Sequence, residues 1–250
     1  MRARALSLAP TALAAALLLL VLLPLPAPHA VAAAPVHPAH SVLPVLFVGD
    51  DGGHAAEAAA VRAGLEEVRR WYGGQLGRTF VLDQVQVVRA ERPPAAYGLR
   101  PGGGEPGPEL FDAVKAELGR RGYPTDPAAG LTTIAFVAGA GGFAAGAAFT
   151  GSAPGGFALL GDNAIDSLTG EIGEESWPRW WTGRRRQLGA IAHELGHTWG
   201  LHHPDEHAYD GLVMGAWWDW PEAGFSSAER AVLLEHGGPF LRVRADGGAS

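Results

Sequence analysis

The chain has 250 residues, 47% of them hydrophobic, a formal charge of −7 at pH 7 and no cysteine. That length suits one domain with its own core. The mild acidity argues against nucleic acid or an anionic membrane as the main partner, and the missing cysteines exclude disulfides, thiol metal ligands and a lipid-modified cysteine.

Met1 to Ala32 reads as a secretory signal peptide. Arg2 and Arg4 give the positive start, Ala5 to Leu25 is mostly apolar, and Ala30-Val31-Ala32 is an A-x-A-like cleavage site. An uncleaved membrane anchor is the alternative, and Pro24, Pro26 and Pro28 count against it by interrupting the apolar run. Cleavage after Ala32 removes two arginines and no acids, taking the formal charge from −7 to −9. Residues 33–42 are then a short leader, too short for a folded propeptide, and 43–250 form the functional domain.

Leu43 to Val48 is an apolar run that predicts a buried strand. His54 to about Gly73 follows as a helix, with Ala58, Val61, Leu65, Val68 and Tyr72 at spacings of three or four. Thr79 to Val88 predicts a second strand in which Phe80, Leu82, Val85 and Val87 alternate imperfectly. Arg92 to Pro108, rich in Pro and Gly, reads as a surface loop. Leu110 to Arg121 predicts a helix closed by Gly122.

Leu131 to Val137 is the third strand. Ala138 to Gly156 is dominated by Gly and Ala and reads as a loop with a short edge strand near Ala147 to Thr150, where glycine permits close backbone approach. Phe157 to Leu160 is the next strand, and a helix is expected from Gly183 to Gly200. Arg184-Arg185-Arg186, the one basic cluster, reads as a solvated helix face. Ser226-Ser227-Ala228-Glu229 is a capping box that opens a last helix to about His236. This is an α/β (α+β) order in one domain.

The helix from Gly183 carries the chemistry. His193-Glu194-Leu195-Gly196-His197 is H-E-x-x-H, and Gly200 and His203 extend it to H-E-x-x-H-x-x-G-x-x-H. The short form arises in roughly 2% of shuffled chains of this composition, the long form in on the order of one in ten thousand. Residues four apart on a helix lie about 40° apart in azimuth and roughly 6 Å apart along the axis, so His193 and His197 can address one ion. Gly200 suits a helix-ending turn that brings His203 back as third ligand. Three protein ligands leave zinc a fourth position for water, the catalytic pattern, and Glu194 can reach that water. A structural zinc site needs neither Glu194 nor the bend at Gly200. His202 has no required role and reads as a residue that either backs a ligand or lies on the surface.

The long motif with Met214 downstream resembles the signature of the metzincin zinc metallopeptidases. The resemblance implies one catalytic Zn2+ on His193, His197 and His203, Glu194 as general base and acid, and Leu212-Val213-Met214-Gly215 as the Met-turn beneath the metal. It implies a single metzincin-like domain, with a twisted mixed sheet and antiparallel edge strand over the active-site helix, and a C-terminal helix. Pro204 resembles the serralysin branch and the short gap to Met214 the matrixins. Ala216 stands where serralysins and astacins carry a tyrosine ligand, and the subfamily stays unassigned.

Seven of the eight tryptophans surround the motif: Trp177, Trp180, Trp181, Trp199, Trp217, Trp218 and Trp220. Burial against the zinc helix accounts for most of them. Trp217 and Trp218 are candidates for the substrate pocket, because metzincins build a pocket wall just after the Met-turn. Asp162 with Asp166, or Asp50 with Asp51, are pairs a structural Ca2+ could use; exposed loop acids are commoner, and calcium is not predicted.

The expected protein is a secreted zinc endopeptidase acting on protein or peptide substrates, without nucleic acid and without a membrane after signal cleavage. Two alternatives stay open. One is a secreted zinc-binding interaction module without proteolytic activity, against which an intact Glu194 weighs. The other is a zinc hydrolase of a non-protein or cell-wall amide. Oligomeric state is not readable from the chain.

Overall fold

The computed structural model describes residues 41–49, 52–99, 109–127, 131–142, 144–147, 155–173, 182–204, 210–235 and 241–242. The expected signal peptide and most of the leader lie outside them. In chain order the elements are β1 (Ser41–Val48), α1 (Ala55–Leu76), β2 (Arg78–Thr79), β3 (Val81–Leu82), β4 (Gln86–Arg89), α2 (Glu109–Arg120), β5 (Thr132–Val137), β6 (Ala144–Ala147), β7 (Gly156–Leu160), α3 (Asp162–Thr169), α4 (Arg184–Thr198), α5 (Ser227–Glu235) and β8 (Leu241–Arg242).

The main sheet runs β3-β1-β5-β7-β6, with β4 continuing the pairing of β3 along β1. All its pairings are parallel except β6 against β7, so the sheet is mixed with an antiparallel edge strand. Alternate residues of each strand serve two cores. Val42, Leu46, Ile134, Phe136, Ala158 and Leu160 pack with α1 and α4. Val45, Phe47, Ala135, Val137, Phe157 and Leu159 pack with Leu110, Val114 and Leu118 of α2. Helices on both faces bury β1 and β5 completely, which is why these strands read as unbroken apolar runs and not as alternations.

Several boundaries differ from expectation. The strand expected over Thr79–Val88 is three short pieces. Asp83 breaks it: its carboxylate accepts from the Ser41 hydroxyl, and Arg62 holds the Leu82 and Asp83 carbonyls. The register then slips, so Val88 points inward and Val87 is 50% exposed. The edge strand lies at Ala144–Ala147, earlier than expected, and Ala148 to Thr150 lie outside the described residues. Helix α1 runs on to Leu76 and closes at Gly77. Helix α3 and strand β8, which pairs antiparallel with β2, were not expected. The loop expected from Arg92 contains a 3-10 turn, Pro94–Tyr97.

Other local signals hold. Ser226 and Glu229 exchange hydrogen bonds, the backbone N–H of each donating to the side chain of the other. Gly122 follows α2 with φ of 85°. No helix of the described residues is long and apolar enough to cross a membrane.

Candidate metal centre

Helix α4 is buried on nearly every side, from Gln187 to Gly196. Small residues permit this. A Cβ on Gly196 would come within 2.5 Å of Met214 Sδ, so the missing side chain is what lets the thioether lie against the helix backbone. On another side, a Cβ on Gly146 of β6 would meet the Glu194 carbonyl oxygen at 2.5 Å. The edge strand can ride directly on the helix only because that position is glycine.

The end of α4 sets the metal ligands. Leu201 N–H donates to the Gly196 carbonyl and Gly200 N–H to the His197 carbonyl, with Gly200 at φ 89°. This is the Schellman arrangement, and it needs a left-handed residue at Gly200. The same turn presents the Leu201 carbonyl to His197 Nδ1 at 2.9 Å. The Val213 carbonyl faces His193 Nδ1 at 2.9 Å. A carbonyl only accepts, so both rings carry their proton on Nδ1 and present Nε2 as a lone pair.

Those lone pairs converge. His193 Nε2 lies 3.0 Å from His197 Nε2, and His203 Nε2 lies 3.1 Å from each. Unprotonated nitrogens at this separation repel unless a cation sits between them. Tetrahedral zinc at its usual distance from imidazole nitrogen separates its ligands by about 3.3 Å, close to what is seen. The three histidines are therefore a metal site whose donor set and spacing suit Zn2+. Burial and the neighbouring His197 ring push His193 down to about 3, and burial also lowers His197, so both favour the neutral ligand form.

Glu194 is 7% exposed and lines a cleft of about 410 Å³ together with the three histidines. Burial pushes its carboxyl up to about 8, opposed in part by a hydrogen bond from the Gly146 backbone. Met214 is fully buried beneath this cleft, in a tight turn closed by Gly215 and Ala216 N–H groups on the Leu212 carbonyl. Trp217 and Trp218 form one wall, edge to face at 5.6 Å between ring centres, and Trp218 is 43% exposed. All seven candidate residues thus meet at one cleft.

Other expectations divide. His202 is exposed. Trp199 is buried against Tyr72 and Phe80, its indole N–H on Thr132 Oγ1 at 3.0 Å, and Trp220 is buried beside Trp71. Trp177, Trp180 and Trp181 lie outside the described residues. The basic cluster is not a plain solvated face. Arg184 pairs with Glu67 at 2.9 Å, and Arg185 holds both Glu222 and the Trp220 carbonyl, tying the start of α4 to the segment behind the cleft wall. Among the described residues the histidines are the only acid, histidine or cysteine group placed to hold a metal. Asp162 instead accepts the N–H groups of Gly139 and Gly141, while Asp50 and Asp51 lie outside the described residues.

Motif reading missed the parts of the site made from backbone. These are the Val213 and Leu201 carbonyls, the Gly146 N–H, and Gly196 under the helix. The glycine-rich composition of 138–156 was the one available signal: it pointed to close backbone approach somewhere in that stretch without singling out Gly146, which lies before the edge strand expected near Ala147 to Thr150.

No family model and no curated protein matches the chain. Among solved structures it is similar to an archaemetzincin from Methanopyrus kandleri, at 20% identity and a TM-score of 0.43, covering 78% of this chain and 94% of that one. It is also similar to a zinc-dependent peptidase from Methanocorpusculum labreanum, at 16% identity and a TM-score of 0.39, covering 76% and 99%.

Proposed function

We propose that the chain is a secreted, metzincin-like zinc endopeptidase. The observation that carries this reading is a buried glutamate held by the Gly146 backbone and set beside three convergent imidazoles in an open cleft. A zinc ion held there would acidify a water and polarise a scissile carbonyl. The charge of that ion would offset the burial that raises the Glu194 carboxyl and leave it ionised, so Glu194 can take the water's proton as the oxygen attacks the carbonyl carbon and hand it to the departing amine nitrogen. The Gly146 N–H holds the carboxylate in place, and the Val213 and Leu201 carbonyls keep His193 and His197 aimed at the ion. Trp217 and Trp218 offer an apolar wall for a substrate side chain next to the cleaved bond.

Export rests on the N-terminal sequence: two arginines, an apolar stretch and an A-x-A-like site. The test is zinc content followed by casein cleavage with and without a chelator, for the wild type and Glu194→Ala. The expected result is one zinc per chain, cleavage abolished by chelation and restored by zinc, and a Glu194→Ala protein that retains zinc but not cleavage. Zinc binding without hydrolysis of casein or of a peptide library would replace this reading with a binding module. Cleavage confined to cell-wall peptides would narrow the substrate.

A further inference from the structure

The N-terminus of α3 grips the loop that leads into the edge strand. Asp162, the first residue of α3, accepts Gly139 N–H on Oδ1 at 2.7 Å and Gly141 N–H on Oδ2 at 3.2 Å. Asn163 N–H donates to the Gly141 carbonyl at 3.1 Å. The contact is tight: a Cβ on Gly161 would meet the Gly141 carbonyl oxygen at 2.3 Å. Three hydrogen bonds therefore fix residues 139–141, just before β6 begins at Ala144. Among the described residues the one strand that pairs with β6 is β7, with Gly146 opposite Ala158 and Ala144 opposite Leu160. Gly146 then rests on α4 and donates to the Glu194 carboxylate.

From this chain of contacts we infer that Asp162 is a positioning residue for Glu194, acting through the 139–141 loop and the seat of β6 on α4. Asp162 touches neither the cleft nor the histidines. A carboxylate is needed because both oxygens must accept; Asp162→Asn leaves one oxygen and turns an N–H donor toward the Gly139 or Gly141 N–H. With the loop released, β6 can lift from α4, and the Gly146 N–H loses its aim at the carboxylate. The inference rests on the proposed peptidase activity for its kinetic consequence, but not for its structural one.

The experiment compares Asp162→Asn with the wild type in the full, zinc-loaded chain. Amide hydrogen exchange at Gly146 should accelerate at least about tenfold, with β5 and α4 amides changing by less than about twofold. On a peptide substrate kcat should fall about tenfold or more with KM within about twofold, since a small misplacement of a catalytic group acts on the chemical step. Zinc content should be unchanged. Unchanged exchange at Gly146, or acceleration of β5 and α4 amides together with it, overturns the inference, as does a rise in KM with kcat intact. If the wild type cleaves no peptide, the functional reading fails while Gly146 exchange still decides the coupling. Should Asp162→Asn not fold, Asp162→Ser, which keeps a hydroxyl acceptor at the start of α3, is read by the same two measurements.

Discussion

Two buried glutamates occupy opposite faces of the same sheet, and their surroundings could hardly differ more. Glu117, fully buried on the α2 side, accepts from the Tyr97 hydroxyl and from Glu91 N–H at 2.9 Å, and pairs with Arg121 at 3.2 Å. Glu194, on the α4 side, accepts from the Gly146 backbone, has no arginine or lysine paired with it among the described residues, and faces a cleft. A buried carboxylate is costly unless its lone pairs are used. At Glu117 they are used up, and the group ties α2 to the 3-10 turn at Pro94–Tyr97. At Glu194 most of that capacity is left for a proton. The contrast separates a carboxylate that holds the fold from one kept for chemistry.

Exchanging each for glutamine gives the sharpest break. Glu194→Gln keeps an acceptor for Gly146 N–H but cannot take a proton, so peptide cleavage should fall by about 10³-fold or more. Its metal-free stability should equal or exceed that of the wild type, because a poorly satisfied buried carboxylate is gone. Glu117→Gln should do the reverse. Its amide N–H group would face the Tyr97 or Glu91 donors, lowering stability by about 2–3 kcal/mol, with kcat retained in the folded fraction. Urea unfolding and steady-state kinetics on both variants check the crossing. Matching losses of stability in the two would erase the distinction.

The next effect concerns how the α4 side keeps its helix so close to its neighbours. Gly196→Ala sets a methyl against Met214 Sδ, and overpacking of this kind costs about 1–3 kcal/mol. Methionine is adaptable, so shortening it should relieve much of the strain: Gly196→Ala with Met214→Ala should be less unstable than the sum of the two single changes. Thermal unfolding of the four proteins measures this, and simple additivity would mean that the thioether does not press on Gly196.

The two faces also differ in how far the sequence exposes them. The ligands and Glu194 fall within eleven residues of one helix and its turn, so helical geometry alone assembles them. Their supports do not show, because the Val213 and Leu201 carbonyls and the Gly146 N–H are backbone groups that any residue possesses. What marks Gly146 is the side chain it lacks. Helix α3 does not show in the sequence because it spans only Asp162–Thr169 and spends five of its eight positions on Asp, Asn, Ser and Thr, all indifferent helix formers. The broken strand at Asp83 did leave a trace: the three-residue gap between Leu82 and Val85 violates a two-residue period, and that gap is where the chain slips register. The Glu117 network gave no signal, since a lone Glu on an amphipathic helix reads as solvated until Tyr97 and Arg121 fold over it.

The smallest effect tests charge on the α4 side away from the cleft. Asp166 is partly buried in α3, and burial, with the negative charges of Asp162 and Glu171, raises its carboxyl from the usual 3.8 to about 6. The folded protein thus holds this proton more tightly than the unfolded chain, so the contribution to stability is complete below pH 4 and is lost as pH rises through about 6. At pH 7 the ionised group repels its neighbours. Asp166→Asn removes that repulsion and should stabilise the protein at pH 7 by no more than about 1 kcal/mol, because solvent screens a partly exposed site. The gain should shrink as pH falls from 7 to 4, where the wild-type carboxyl is protonated as well. Urea midpoints at the two pH values measure it. A gain that is constant with pH would assign the effect to helix propensity, and the loss of Asp162's neighbour would then be electrostatically neutral.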